Sequence, residues 1–153
     1  MKANDTKTQG PKQRNCAMRW KANKNGRMRD LRKLFNAHQE GDEEKYANEL
    51  GTFNEYGLCF DYVAPGTFHD QAQGYWRYQL SWGGPSDEFR FYAGGCGDQE
   101  PYRISYVFLD WFDGHERRLV GHDLELMRQV WGFFSETGLT KAEYRKGTDR
   151  MET

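Results

Sequence analysis

Residues 75–84, YWRYQLSWGG, constrain the fold of this chain more than any other stretch. Trp76, Tyr78, Leu80 and Trp82 fall on one parity; Tyr75, Arg77, Gln79 and Ser81 fall on the other. Successive side chains of a strand point to opposite faces, so the alternation predicts one apolar and one polar face. Such a strand belongs in an antiparallel sheet that is wet on one side. Trp76 and Trp82 are therefore expected in the core, and the Tyr75 and Arg77 face is expected to be partly wet.

The same period recurs on both sides. In 58–64, Leu58, Phe60 and Tyr62 alternate with Cys59, Asp61 and Val63 until Pro65-Gly66 ends the run. The turn Gly83-Gly84-Pro85-Ser86 leads into a third strand, where Glu88, Arg90 and Tyr92 alternate with Phe89 and Phe91. A fourth, 102–111, is apolar on both faces apart from Ser105, which predicts a central strand or one covered on both sides, and Asp113-Gly114 reads as the turn that ends it.

Helical spacing brackets the strands. Met28, Leu31, Leu34, Phe35 and His38 recur at three- and four-residue steps, predicting a first helix from Arg27. A second is expected over 43–56, with Asp42, Glu43 and Glu44 where a helix N-terminus favours negative charge. A last helix over 123–137 aligns Leu124, Met127, Trp131 and Phe134, with Leu126, Val130 and Phe133 widening its apolar surface and Gly138 suited to its C-terminal cap. The expected fold class is α+β: a four-stranded antiparallel sheet packed by helices in the order ααββββα.

At 153 residues the chain suits one domain. Residues 27–139 are assigned to it, 1–26 to a flexible basic arm and 140–153 to a frayed tail. Residues 1–33 hold eleven Lys or Arg against Asp5 and Asp30, whereas the remainder holds eleven against twenty-one Asp or Glu. The net charge of −1 thus hides a basic arm on an acidic body, which bears on partners rather than on fold. No apolar run approaches the roughly 20 residues of a membrane span, and MKANDTKTQG lacks a signal-like apolar segment, so a cytoplasmic protein without membrane contact is expected. Cys16, Cys59 and Cys96 are odd in number and widely spaced, which predicts reduced thiols rather than a disulfide or zinc framework.

Few constellations carry chemistry. Asp110, Asp113, His115 and Glu116 cluster in DWFDGHE and could hold a divalent metal that activates water, but the spacing matches no metal-ligand pattern. Cys59 and Cys96 lack a cysteine-enzyme context, and the loop Gly94-Gly95-Cys96-Gly97 lacks the Lys and following helix of a phosphate cradle. The expectation is a protein that is not an enzyme and needs no cofactor or metal.

The phrases YGLCFDYVAPGTF, GYWRYQLSWGGPSDEFRFY and ISYVFLDWFDG resemble a family of small uncharacterised proteins of plasmids and integrative conjugative elements. The resemblance spans the sheet and implies a mobile-element setting, in which small domains protect incoming DNA from host restriction or CRISPR systems. It implies an anti-CRISPR or antirestriction protein, a non-enzymatic inhibitor whose partner is a host defence protein or nucleoprotein complex. The alternative is a nucleic-acid-binding accessory protein of a conjugative element, with the arm on phosphates and Trp20 stacked on a base. Tyr and Arg dominate binding hot spots, and on that basis Tyr75, Arg77, Asp87, Glu88 and Arg90 are the candidate partner-binding residues of the sheet. Arg19, Trp20, Arg27 and Arg29 form the second patch, expected to order on contact with the target.

Overall fold

A computed structural model describes residues 11–111 and 113–152. The elements are α1 (Pro11–Gln39), α2 (Phe53–Tyr56), β1 (Cys59–Val63), β2 (Tyr75–Ser81), β3 (Ser86–Ala93), β4 (Pro101–Asp110), β5 (Asp113–Arg118), α3 (Gly121–Glu136) and α4 (Leu139–Glu152). The strands form one antiparallel sheet in sequence order, β1-β2-β3-β4-β5. The α+β class stands, with five strands rather than four.

Strand alternation builds the core. Phe60, Tyr62, Trp76, Tyr78, Leu80, Phe89, Phe91, Ile104, Tyr106 and Phe108 share one sheet face. Met28, Leu31, Leu34 and Phe35 of α1 and Leu126, Met127, Val130, Trp131 and Phe134 of α3 cluster with them. A core this aromatic needs acceptors for its indoles, and backbone carbonyls provide them: Trp20 donates to Tyr106, Trp76 to Thr140 and Trp131 to Gln99.

The fifth strand corrects the sequence reading. Asp113-Gly114 is not a turn but the start of β5, and Asp110 pairs with Asp113. The segment DGHERR carries no apolar residue and so gives no strand signal, yet charge is what keeps an edge strand from pairing with other chains. β4 is an interior strand as expected, but helices cover it on one face only.

Three further expectations change. The second helix shrinks to α2, because residues 42–50 form successive turns and Gly51 then takes φ +81°, a conformation that interrupts helical backbone. The arm over 1–26 is helical from Pro11 onward, continuous with the helix expected from Arg27, while 1–10 lie outside the described residues. The tail over 140–153 is α4 through Glu152, packed on β1, where Gly147 lies so close that a Cβ would stand 2.8 Å from the Tyr62 carbonyl oxygen. Among the described residues no helix is long and apolar enough to cross a membrane.

Candidate binding surface

Among the described residues no helix packs over the second sheet face, yet it is not the wet face expected at Tyr75. Tyr75 is 2% exposed, Glu88 3% and Tyr92 5%, because the arginines and the loop before β2 lie across them. The residues of this face, read from the register, are Asp61, Val63, Tyr75, Arg77, Gln79, Glu88, Arg90, Tyr92, Arg103, Ser105, Val107, Glu116 and Arg118. Four of the proposed sheet residues, Tyr75, Arg77, Glu88 and Arg90, stand together here.

Guanidinium groups lie flat across this face and tie the strands together. Arg77 grips Asp61 with both Nε and Nη2, at 3.0 and 2.8 Å. Arg90 Nε donates to Glu88 at 2.7 Å and its Nη1 reaches Glu116 at 3.2 Å, while its guanidinium sits 4.6 Å from the centre of the Tyr75 ring. Arg103 repeats the stack 4.0 Å over Tyr92, whose hydroxyl donates to Glu116 at 2.7 Å. These are partly buried pairs, with Glu88 3% exposed beneath Arg90, so part of their attraction is offset by desolvation and the lattice chiefly fixes geometry. The loop before β2 rises at one end and forms a depression of about 560 Å³ with Phe68, Tyr75, Arg90, Tyr92, Arg103 and Glu116 in its walls.

Protonation follows from these contacts. Burial pushes the Tyr75 hydroxyl up to about 12, against the opposing pull of Arg90. Burial disfavours the Arg90 charge, yet Glu88, Tyr75 and Glu116 together hold it above the ordinary arginine range. The Arg77 charge is reinforced by its bond to Asp61, which outweighs its desolvation. The face is thus a set of matched charges between aromatic rings.

Asp87 does not belong to it. Adjacent strand residues alternate, so Asp87 turns to the helix-covered face while Glu88 turns to the opposite one, where it lies buried under Arg90. Arg27 of α1 grips its carboxylate through Nε and Nη2 at 2.7 and 3.0 Å, and the Ser81 and Tyr106 hydroxyls donate to it as well. Burial raises the Asp87 pKa, but the bonds from Arg27, Ser81 and Tyr106 prevail and hold it below the usual carboxylate range.

The arm patch divides likewise. Trp20 is only 7% exposed, with its indole against Tyr106 and His115, so it cannot stack on a base. Arg19 pairs with Asp110, and Lys24 with Asp123 at 2.7 Å. Arg19, Trp20 and Arg27 thus hold α1 on the sheet, and of the four proposed arm residues Arg29 alone is exposed. The acid cluster is also split: Asp113 and His115 share the parity of the helix-covered side, whereas Glu116 faces the open side. Among the described residues no three His, Cys, Asp or Glu stand close enough to hold a metal ion. Cys59 is half-buried and Cys96 exposed, both as free thiols; Cys16 has no described side chain.

Sequence reasoning missed the tryptophans at the sheet's end. Trp82, expected in the core, is 61% exposed: the β2–β3 register shifts between Gln79 and Ser81, and Trp82 lies beyond the strand. Trp111 is 80% exposed, and Gly84 lies against its indole. Trp111 also takes φ +57°, in the left-handed region that favours Gly or Asn. A bulky residue there costs roughly 1–2 kcal/mol, and strain of this kind concentrates at functional sites. Arg103, Tyr92 and Glu116 were also missed, though Arg103 shares the parity of Ser105 and could have been placed by it. No family model, curated protein or solved structure matches the chain.

Proposed function

We propose that the chain is a non-enzymatic inhibitor of a host defence nucleoprotein complex, of anti-CRISPR or antirestriction type. It binds a protein surface of that complex through the open sheet face and the tryptophan end. The mobile-element setting comes from the sequence resemblance. The observation that carries the mode of action is the arginine lattice, seated on buried tyrosines, on a face that no described helix covers.

Arg is a hot-spot residue type; Tyr75 and Tyr92 are buried beneath Arg90 and Arg103 and hold them in place, and side chains already locked by neighbours lose little entropy on binding. Because each lattice arginine faces Asp61, Glu88 or Glu116, the surface is a mosaic of both signs. A mosaic complements another protein better than it complements a uniform polyanion. Trp82 and Trp111 offer apolar anchors at its margin.

The test is transformation of plasmid DNA into strains that each carry one defined CRISPR or restriction system, with and without this chain. Rescue against one system is expected, together with a complex between the chain and a protein subunit of that system. Trp111→Asn with Arg77→Gln should weaken that complex by about tenfold or more, while Trp111→Asn alone leaves stability unchanged or raises it by up to about 1 kcal/mol. Failure to rescue against every system, or full activity of the double variant, would overturn the reading.

A further inference from the structure

A second surface lies on the other side of the molecule, on α1. Past its anchors to the sheet, α1 turns Lys21, Asn25, Arg29, Arg32, Lys33 and Asn36 to solvent. Lys21, Asn25, Arg29 and Lys33 are four residues apart, so they recur about every 6 Å along one helical flank. The turn after α1 brings up Lys45 and Tyr46, which close a groove of about 460 Å³ with Arg29, Arg32, Lys33 and Asn36.

The groove gathers like charges. The Lys33 and Lys45 ammonium groups both sit over the Tyr46 ring, 5.6 and 5.7 Å from its centre. Among the described residues Arg29 and Lys33 have no ion pair, and Arg32 has a distant one, at 3.7 Å to an Asp123 that Lys24 already holds at 2.7 Å. Glu40 is the single acid in the groove wall. Helix-dipole stabilisation does not account for this cluster: it acts within the last turn, where His38 is the basic residue. Four cations line this groove against Glu40 alone, so they repel one another unless a further anion lies among them.

Composition selects the kind of anion. From Lys21 to Glu40, α1 exposes no large apolar side chain. A protein interface needs an apolar centre, whereas a phosphodiester backbone is held by cations and side-chain amides alone. We infer that the outer face of α1, with Lys45 and Tyr46, binds the phosphate backbone of a nucleic acid, without base readout. This surface is separate from the open sheet face and stands or falls independently of the inhibitor reading.

The test is fluorescence anisotropy of the full chain with labelled single-stranded and duplex oligonucleotides of mixed sequence, from 50 to 200 mM salt. About three neutralised phosphates would give a log–log salt slope near −3 and roughly a 40-fold or greater loss of affinity across that range. Arg29→Glu, Lys33→Glu and Lys45→Glu combined should abolish binding and its salt dependence. The matched control Lys141→Glu, Arg145→Glu and Lys146→Glu on α4, with the same change in net charge, should retain it. Gln at Arg29, Lys33 and Lys45 gives the same answer if the Glu set fails to fold. Arg77→Gln, on the opposite face, should leave this binding intact. Absence of binding at 50 mM salt, equal loss in the α4 control, or complete competition by a polyglutamate peptide of equal charge would overturn the inference; the last would identify an acidic protein as the ligand instead.

Discussion

Asp87 shows how one residue can be chosen for the right reason and assigned to the wrong side. Asp87 and Glu88 are adjacent in β3, so no strand could present both to one partner; which of them turns away from the helices depends on the face the helices cover. That choice is made by α1, whose Arg27 meets Asp87. Leaving one member of a buried ion pair alone costs about 3 kcal/mol or more, so Asp87→Asn is expected to lower the unfolding free energy measured by urea titration by that amount. Since the folded pKa of Asp87 lies below its unfolded value near 3.9, its contribution is complete above that pH and declines as the pH falls through the folded value. Wild-type stability should therefore drop more steeply below about pH 4 than that of Asp87→Asn, in urea titrations run from pH 6 to pH 2.5. Equal slopes in the two proteins would remove Asp87 from the acid response.

The element that the sequence hides best is the first half of α1. Its buried stripe runs through Trp20, Lys24, Arg27, Met28, Leu31, Leu34 and Phe35, and the two cations interrupt the apolar period just where the reading began the helix. Both are matched by acids distant in sequence, Asp123 and Asp87, which no local pattern reveals. Apolar alternation disclosed β1 to β4, but β5 has none. Of the candidate surface, parity disclosed Tyr75, Arg77 and Arg90 and could have added Arg103; the pairings with Asp61 and Glu116 needed the register. A chain beginning at Arg27 would lose Trp20 and the contacts of Arg19 and Lys24. It is expected to lose about 3–5 kcal/mol from Trp20 alone and to unfold far below the full-length protein in thermal melts followed by circular dichroism. A melting temperature within a few degrees of full length would show that this half of the helix is not structural.

At the scale of the whole molecule, the two layers place the charge mosaic and the basic groove back to back, so occupancy of one leaves the other open. The sheet order also governs how the domain assembles. Every strand pairs with its sequence neighbour, so the sheet closes through short loops, whereas α1 docks on Asp87, Tyr106 and Asp110, about 60–90 residues away. Contacts that close long loops are entropically late. Trp20→Phe should accordingly speed unfolding with little effect on the folding rate, while Phe89→Leu in the central hairpin slows folding; stopped-flow chevrons measure both. The same separation has a meaning on the ribosome. α1 emerges before its seat, which is not made until β4 has followed several seconds later at ordinary rates of synthesis. Throughout that interval the helix is an unpartnered segment in a crowded cell, and the cations within its buried stripe make it a poor substrate for aggregation while it waits.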